Sequence, residues 1–201
     1  MATDTHAIIK NLVAFYDFGG KEVLHVGAGG GQLIGYAHLP RKITAVDSNR
    51  AAVESLRKKI SECALDDKFT TIEGDFYAFR GQVDVVFFEF CLHEMADPVR
   101  AIGHAATLAP HTLIIDHLPE SEWSWCACET DRISASWTAI EETPLRRKRF
   151  FDAKQRFADF KELSNRLATL GEETARRIRR YESCGSCGNI EISMPYGIVL
   201  I

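Results

Sequence analysis

No run of apolar residues in this chain approaches the ~18 positions a membrane-crossing helix needs, so no spanning segment is predicted. The opening Met1-Ala2-Thr3-Asp4-Thr5-His6 lacks the basic stretch and apolar core of a secretory leader. A cytoplasmic protein is the expectation, with its six cysteines mostly reduced. Positive charge is not in excess either. The 24 Lys and Arg stand against 28 Asp and Glu, a net charge of −4, which argues against a dedicated nucleic-acid binder. There is no internal repeat, low-complexity tract or clear linker, so the 201 residues are read as one domain with a full core.

What is present is an alternation of strand and helix patterns. An amphipathic helix is predicted over about 4–16, its apolar face made by Ile8, Ile9, Leu12, Val13, Phe15 and Tyr16, and Gly19-Gly20 ends it. Strands are predicted at 22–26, 42–46, 69–72, 83–90 and 112–117, with helices near 31–38, 49–63 and 97–108. The last of these opens on Asp97-Pro98, a cap followed by proline at the first helical position. This rhythm implies right-handed βαβ units and a parallel sheet with helices on both faces. Such sheets bind ligands outside the carboxyl ends of their strands, where the strand order reverses.

Residues 118–183 show no strand pattern; they hold Trp123, Trp125 and Trp137 and a long helical stretch predicted over 152–181. The chain then closes with strands at 189–193 and 197–201 around Met194-Pro195-Tyr196-Gly197. The expected division is a core at 1–117, a helical insert at 118–183 covering the site, and C-terminal strands within 184–201, one of them antiparallel to the sheet.

The most informative stretch is Val23-Leu24-His25-Val26-Gly27-Ala28-Gly29-Gly30-Gly31, a β-branched run leading into a glycine cluster. Ile43-Thr44-Ala45-Val46-Asp47 follows, and its acid lies 20 positions after Gly27. That layout places a nucleotide on a parallel sheet. The glycines let backbone approach the ligand, and the carboxylate accepts both ribose hydroxyls. A dinucleotide turn wants a glycine three after Gly29, but Gln32 stands there, so NAD is not expected.

The run G-x-G-x-G resembles the first motif of the class I S-adenosylmethionine-dependent methyltransferases. Three further elements strengthen the resemblance: Asp47 with Ser48 and Asn49; Glu73-Gly74-Asp75-Phe76; and the run from Val83 through Glu89, Phe90, Cys91, Leu92 and His93 to Met95. It covers roughly 20–117. It implies an α/β fold with a doubly wound, mostly parallel seven-stranded sheet, and S-adenosylmethionine as methyl donor. It also implies donor contacts from Gly27, Ala28, Gly29, Asp47, Ser48, Glu89 and Phe90, with Asp75 on the adenine amine and Phe76 bordering the ring. One position departs. Where the family carries an acid that holds the methionine ammonium, this chain has His25. Either another carboxylate takes over, with Glu89 the nearest, or affinity falls, or His25 is a packed strand residue.

Methyl transfer is an in-line displacement from a sulfonium, so the protein must align acceptor and methyl, exclude water and, for some acceptors, remove a proton. His93, Glu94, Asp116 and His117 follow strands and are candidates, His93, His117 and Glu94 foremost. Glu89, His93, Asp116 and His117 could instead ligate a divalent metal, although no metal is assigned. Cys126-x-Cys128 with Cys184-x-x-Cys187 could hold zinc, while Cys63 and Cys91 are expected to be buried small residues. Residues 141–183 hold 12 of the 24 basic residues, with acids interleaved, which favours a solvated face over an RNA surface.

After the strand at 83–90 there is no Asn/Asp-Pro-Pro-Tyr, which argues against adenine-N6 and protein-glutamine enzymes. A small-molecule acceptor, hydrophobic or aromatic, is expected under an apolar lid made by Trp125 and its neighbours with Phe150, Phe151 and Phe157. An RNA or protein methyltransferase, or a non-catalytic S-adenosylmethionine-binding protein, remain alternatives, and a homodimer is possible.

Overall fold

The computed structural model describes residues 2–182 and 189–201. In chain order the strands are β1 (Ala2–Thr3), β2 (Glu22–Val26), β3 (Lys42–Asp47), β4 (Phe69–Glu73), β5 (Val85–Glu89), β6 (Thr112–His117), β7 (Arg147–Phe151), β8 (Lys154–Phe157), β9 (Ile190–Ser193) and β10 (Tyr196–Leu200). The α-helices are α1 (Thr5–Phe15), α2 (Arg50–Glu62), α3 (Pro98–Leu108), α4 (Glu122–Cys126), α5 (Thr130–Glu141), α6 (Phe160–Leu167) and α7 (Glu172–Ile178).

Seven strands form the central sheet in the order β4-β3-β2-β5-β6-β10-β7. The first five are parallel, and β10 runs antiparallel to both β6 and β7. Alternate residues feed cores on opposite faces, as a period of two requires. Val85, Phe87, Leu113 and Ile115 pack on one side with α1 and α6. Val86, Phe88 and Ile114 pack on the other with α3 and α5. Side chains cap the helices where the sequence places them. Asp4, Asn49, Asp97 and Asp159 each accept a backbone N–H in the first turn of α1, α2, α3 and α6, worth about 1 kcal/mol apiece.

Three expectations about local structure fail. The segment 31–38 is not an α-helix; its regular part is a 3-10 turn, Ile34–Tyr36. It begins beside Gly31 at φ +74°, has no side-chain cap, and is too short and glycine-rich to carry the cost of nucleating a helix. Nor is 152–181 one long helix, and the insert is not free of strands. Arg147–Phe151 forms the edge of the main sheet, and Lys154–Phe157 pairs with β1 and β9 in a separate three-stranded sheet. Gln155 and Phe157 are buried while Lys154 and Arg156 are exposed, a period-two pattern hidden among charges. The later helical part is interrupted at Gly171, where φ is +94°.

β10 enters between β6 and β7 because Gly197 has no side chain: a Cβ there would run into the Trp137 indole of α5. At β2 the chain order reverses, β3 lying on one side and β5 on the other. The glycine turn after β2 therefore opens at the switch point.

Candidate functional site

A cavity of about 450 Å³ lies at the carboxyl ends of β2, β3, β5 and β6, within the size range of small-molecule sites. Gly27, Gly29, Asp47, Asn49 and Ala52 line the part supplied by β2, β3 and the start of α2. Glu89, Phe90, Cys91, His93, Glu94 and His117 line it from β5 and β6. Ile8 of α1, Trp123 of α4, Glu129, Leu167 at the end of α6, and Thr169 and Leu170 beyond it also line the walls. Residues of the 118–183 segment thus contribute to the cavity at the sheet's carboxyl end.

Gly27, Gly29 and Gly31 all have φ between +51° and +74°, a region that disfavours side chains. At Gly29 a Cβ would meet nothing closer than the Gly27 carbonyl oxygen at 3.9 Å, so the free space there belongs to the cavity. At Gly27 a Cβ would strike the Cys91 side chain, whose thiol donates to the Val26 carbonyl at 3.2 Å. Gly27→Ala is therefore expected to destabilise the fold by about 1–3 kcal/mol, a fall in Tm of roughly 2–10 °C. A thermal melt checks this, and an unchanged Tm would show that the turn relaxes freely.

The Asp47 carboxylate organises this turn. Its Oδ2 accepts the Gly29 N–H at 2.9 Å and its Oδ1 accepts the Asn49 N–H at 2.8 Å. Each oxygen keeps a further lone pair, and the side chain faces the cavity. Asn49, not Asp47, caps α2.

His25 does not line the cavity; Glu89 does. Nε2 of His25 lies 2.8 Å from Glu89 Oε2, its Nδ1 lies 3.0 Å from the Tyr36 hydroxyl, and its ring packs against Phe87. Burial, reinforced by the Glu89 charge, pushes the Tyr36 pKa well up, so that hydroxyl keeps its proton. With Tyr36 donating to Nδ1, Nε2 is left beside Glu89 Oε2, a close contact that is not aligned as a hydrogen bond. His25 is thus a packed strand residue that holds the carboxylate in place.

A second buried pair sits after β5 and β6. Asp116, fully buried, accepts from His93 Nδ1 at 2.6 Å, from the backbone N–H of His93 and of His117, and from the Ser136 hydroxyl. An ionised carboxylate accepts only, so Nδ1 must carry hydrogen, and Nε2 points its lone pair away from Asp116 whenever the ring is neutral. The nearest charged atom to Nε2 is Glu129 Oε2 at 3.8 Å. Burial opposes charge on His93, but the Asp116 hydrogen bond and the charges of Asp116, Glu129 and Glu94 outweigh it, and its pKa is raised. Burial also raises the Glu129 carboxyl pKa, against the pull of His93 and Arg132. His117 differs. Burial pushes its pKa down to about 4, so its ring is neutral where it lies on Phe90, with centroids 4.6 Å apart. Phe90 holds φ +47°, a strained value for a bulky residue, at the cavity wall.

Other candidates lie elsewhere. Ala28 is buried beneath the turn and Ser48 is exposed, neither lining the cavity. The Asp75 carboxylate accepts the Tyr77 N–H and is likewise outside. Phe76 is buried against Phe88 and His104, so it borders core rather than ligand. Trp125 faces outward between Arg177 and Arg180, and Phe150 is exposed on β7; Trp123, stacked on Phe157, is the indole at the cavity. Trp125→Ala is accordingly expected to leave acceptor KM unchanged, and a several-fold rise in a steady-state assay would return Trp125 to the site.

Cys63 is exposed rather than buried: it caps the end of α2 one turn beyond Ile60. Cys184 and Cys187 lie outside the described residues. Much of the basic stretch is neutralised, Arg176 and Arg177 by Glu173 and Arg180 by Glu122. Among the described residues no helix is long and apolar enough to cross a membrane. Glu129 was not foreseen, because it sits in the insert with no motif around it and meets His93 only through the tertiary fold.

Residues 24–110 match the family described as methyltransferase domain. No curated protein matches the chain. Among solved structures it is similar to the YcgJ protein of Bacillus subtilis, with 12% identity, TM-score 0.72 and 97% of each chain covered. It is similar to an S-adenosylmethionine-dependent methyltransferase of Aquifex aeolicus, with 17% identity, TM-score 0.62, and 99% of this chain and 90% of that one covered. It is also similar to the magnesium protoporphyrin IX methyltransferase of Synechocystis, which holds S-adenosylmethionine, with 16% identity, TM-score 0.57, and 97% and 77% covered. At these identities the structural likeness concerns the fold.

Proposed function

We propose that the chain is a class I S-adenosylmethionine-dependent methyltransferase, a reading supported by the methyltransferase-domain match over residues 24–110, and that its acceptor is a small molecule, in part apolar or aromatic, seated among Phe90, His117 and Trp123. The observation that carries this reading is the arrangement of one cavity. Asp47 and Glu89 flank its glycine turn, while His93, oriented by Asp116, faces the side covered by the insert. On the donor side, Asp47 takes the ribose hydroxyls, and Glu89 takes the ammonium that the family's missing acid would have held. The backbone of Gly27, Ala28 and Gly29 admits the ligand closely, and Asn49 with Ala52 offers the surface nearest the adenine.

The transfer breaks the sulfonium C–S bond and forms a bond from the acceptor atom to the methyl carbon, leaving S-adenosylhomocysteine. The donor is already activated, so the protein contributes alignment, dryness and activation of the acceptor. His93 Nε2 supplies the lone pair for that activation, Glu94 adds negative charge at the cavity edge, and neutral His117 is a wall for the acceptor. The basic C-terminal helices pair internally, which favours a small acceptor over RNA.

Calorimetry is expected to show S-adenosylhomocysteine binding with one site per chain and no response to NAD. NAD binding without a response to S-adenosylhomocysteine would overturn the assignment. Turnover of labelled S-adenosylmethionine against a panel of aromatic and hydroxylated small molecules, set beside bulk RNA, then tests the acceptor class.

A further inference from the structure

We infer that His93, Glu94 and Glu129 form a divalent-cation site on the acceptor side of the cavity. One nitrogen of His93 and one carboxylate oxygen from each glutamate lie within 4.8 Å of one another, and all three residues line the cavity. A modest inward movement of the two glutamate side chains would bring these atoms to bonding distance of one ion.

Three features favour an ion over a chance cluster. First, His93 is 97% buried, yet Nε2 makes no hydrogen bond among the described residues; its Nδ1 is held by Asp116 at 2.6 Å. A carboxylate gripping the far nitrogen of an imidazole is the arrangement that orients metal-binding histidines and makes them more basic ligands. Second, Arg132 holds Glu129 Oε1 at 3.0 Å, which leaves Oε2 directed at Nε2, 3.8 Å away. Third, buried Asp116, half-buried Glu129 and exposed Glu94 at the cavity edge place three carboxylates around one imidazole, and besides that imidazole the group paired with them among the described residues is Arg132, on Glu129. That field attracts a cation.

One imidazole and two carboxylates suit Mn²⁺, Fe²⁺, Co²⁺ or Zn²⁺ better than Ca²⁺, which prefers oxygen alone. Three protein ligands also leave positions open to the cavity, the mark of a working rather than a structural site. This inference rests on the proposed methyl transfer and specifies its acceptor as one that offers an oxygen ligand. A hydroxyl bound to the ion loses its proton to solvent more readily. Its oxygen then attacks the methyl carbon, and the C–S electron pair leaves on the sulfur of S-adenosylhomocysteine. His93 holds the ion, so its lone pair activates the acceptor through the metal.

The test is titration of the full chain, stripped with EDTA, with Mn²⁺, which has little affinity for the cysteine thiolates. Calorimetry and Mn²⁺ spin resonance are the readouts, with S-adenosylhomocysteine binding measured on the same samples. We expect one Mn²⁺ per chain, bound at least about tenfold more weakly by Glu129→Gln and by His93→Ala. S-adenosylhomocysteine affinity should stay within about twofold in both variants, which certifies their fold. Donor binding by the parent chain without Mn²⁺ binding overturns this inference alone, as does Mn²⁺ binding that Glu129→Gln leaves unchanged. Loss of both ligands in the parent chain would overturn the methyl-transfer reading and this one with it.

Discussion

Asp47→Ala is expected to weaken S-adenosylhomocysteine binding by about 3 kcal/mol, more than a hundredfold in Kd. Two effects add. The ribose hydroxyls lose a charged acceptor, and the glycine turn loses its tie, because Asp47 accepts the Gly29 and Asn49 N–H groups. With that tie gone, Gly29 has no side chain to fix its conformation, and the turn must be ordered at the expense of binding. Asp47→Asn separates the two contributions, since the amide oxygen can keep one backbone bond while the charge is lost. Calorimetry on both variants measures the difference. An Asp47→Ala protein that binds within threefold of the parent would mean that the carboxylate serves the turn alone.

His93→Ala is expected to lower turnover on the true acceptor by about 10²–10⁴-fold, the range for loss of an activating group at a reacting atom. Donor binding should be nearly unchanged, because His93 lies after β5 beside Asp116, away from the glycine turn. Asp116 acts through His93 and is a positioning residue. Asp116→Asn replaces an obligate acceptor with a group that can donate, so the imidazole tautomer is no longer locked and kcat should fall while KM for the donor holds. The fully buried carboxylate also satisfies four donors. This variant should therefore melt lower, and Asp116→Glu should not rescue turnover if alignment is what matters. Full activity in His93→Ala would leave proximity to carry the reaction unaided.

The rest of the chemistry turns on Glu89 and His25. A histidine where the family has an acid reads as a defect in donor binding. In the fold it stands between Tyr36 and Glu89, and Glu89, one strand across on β5, is the carboxylate of the two that lines the cavity. Parallel pairing puts His25 opposite Phe87, two residues before Glu89, so Glu89 lines the same cavity as the glycine turn.

Strand order through residue 117, helices α1, α2 and α3, the switch-point turn and the acid that ends β3 were legible from residue pattern, whereas the helix expected at 31–38 was not. Each rests on local chemistry: buried parallel strands are runs of Val, Ile and Phe, caps are Asp or Asn, and tight turns are glycine. The antiparallel C-terminal strand and its proline turn were legible for the same reason. β7 and β8 were not, because Arg147–Phe151 lies exposed at a sheet edge and its charges mask the alternation that pairing with β10 imposes. Phe76 could not be told from a ligand-facing residue, since which side of β4 and α3 it enters depends on packing against Phe88 and His104. Glu129 lies 36 positions from His93 in a segment with no motif, and only the closure of the insert over the sheet brings the two together. Periodicity and capping act between neighbours a few residues apart and leave their mark in sequence. Contacts between distant elements are selected by shape and burial, and no local pattern records them.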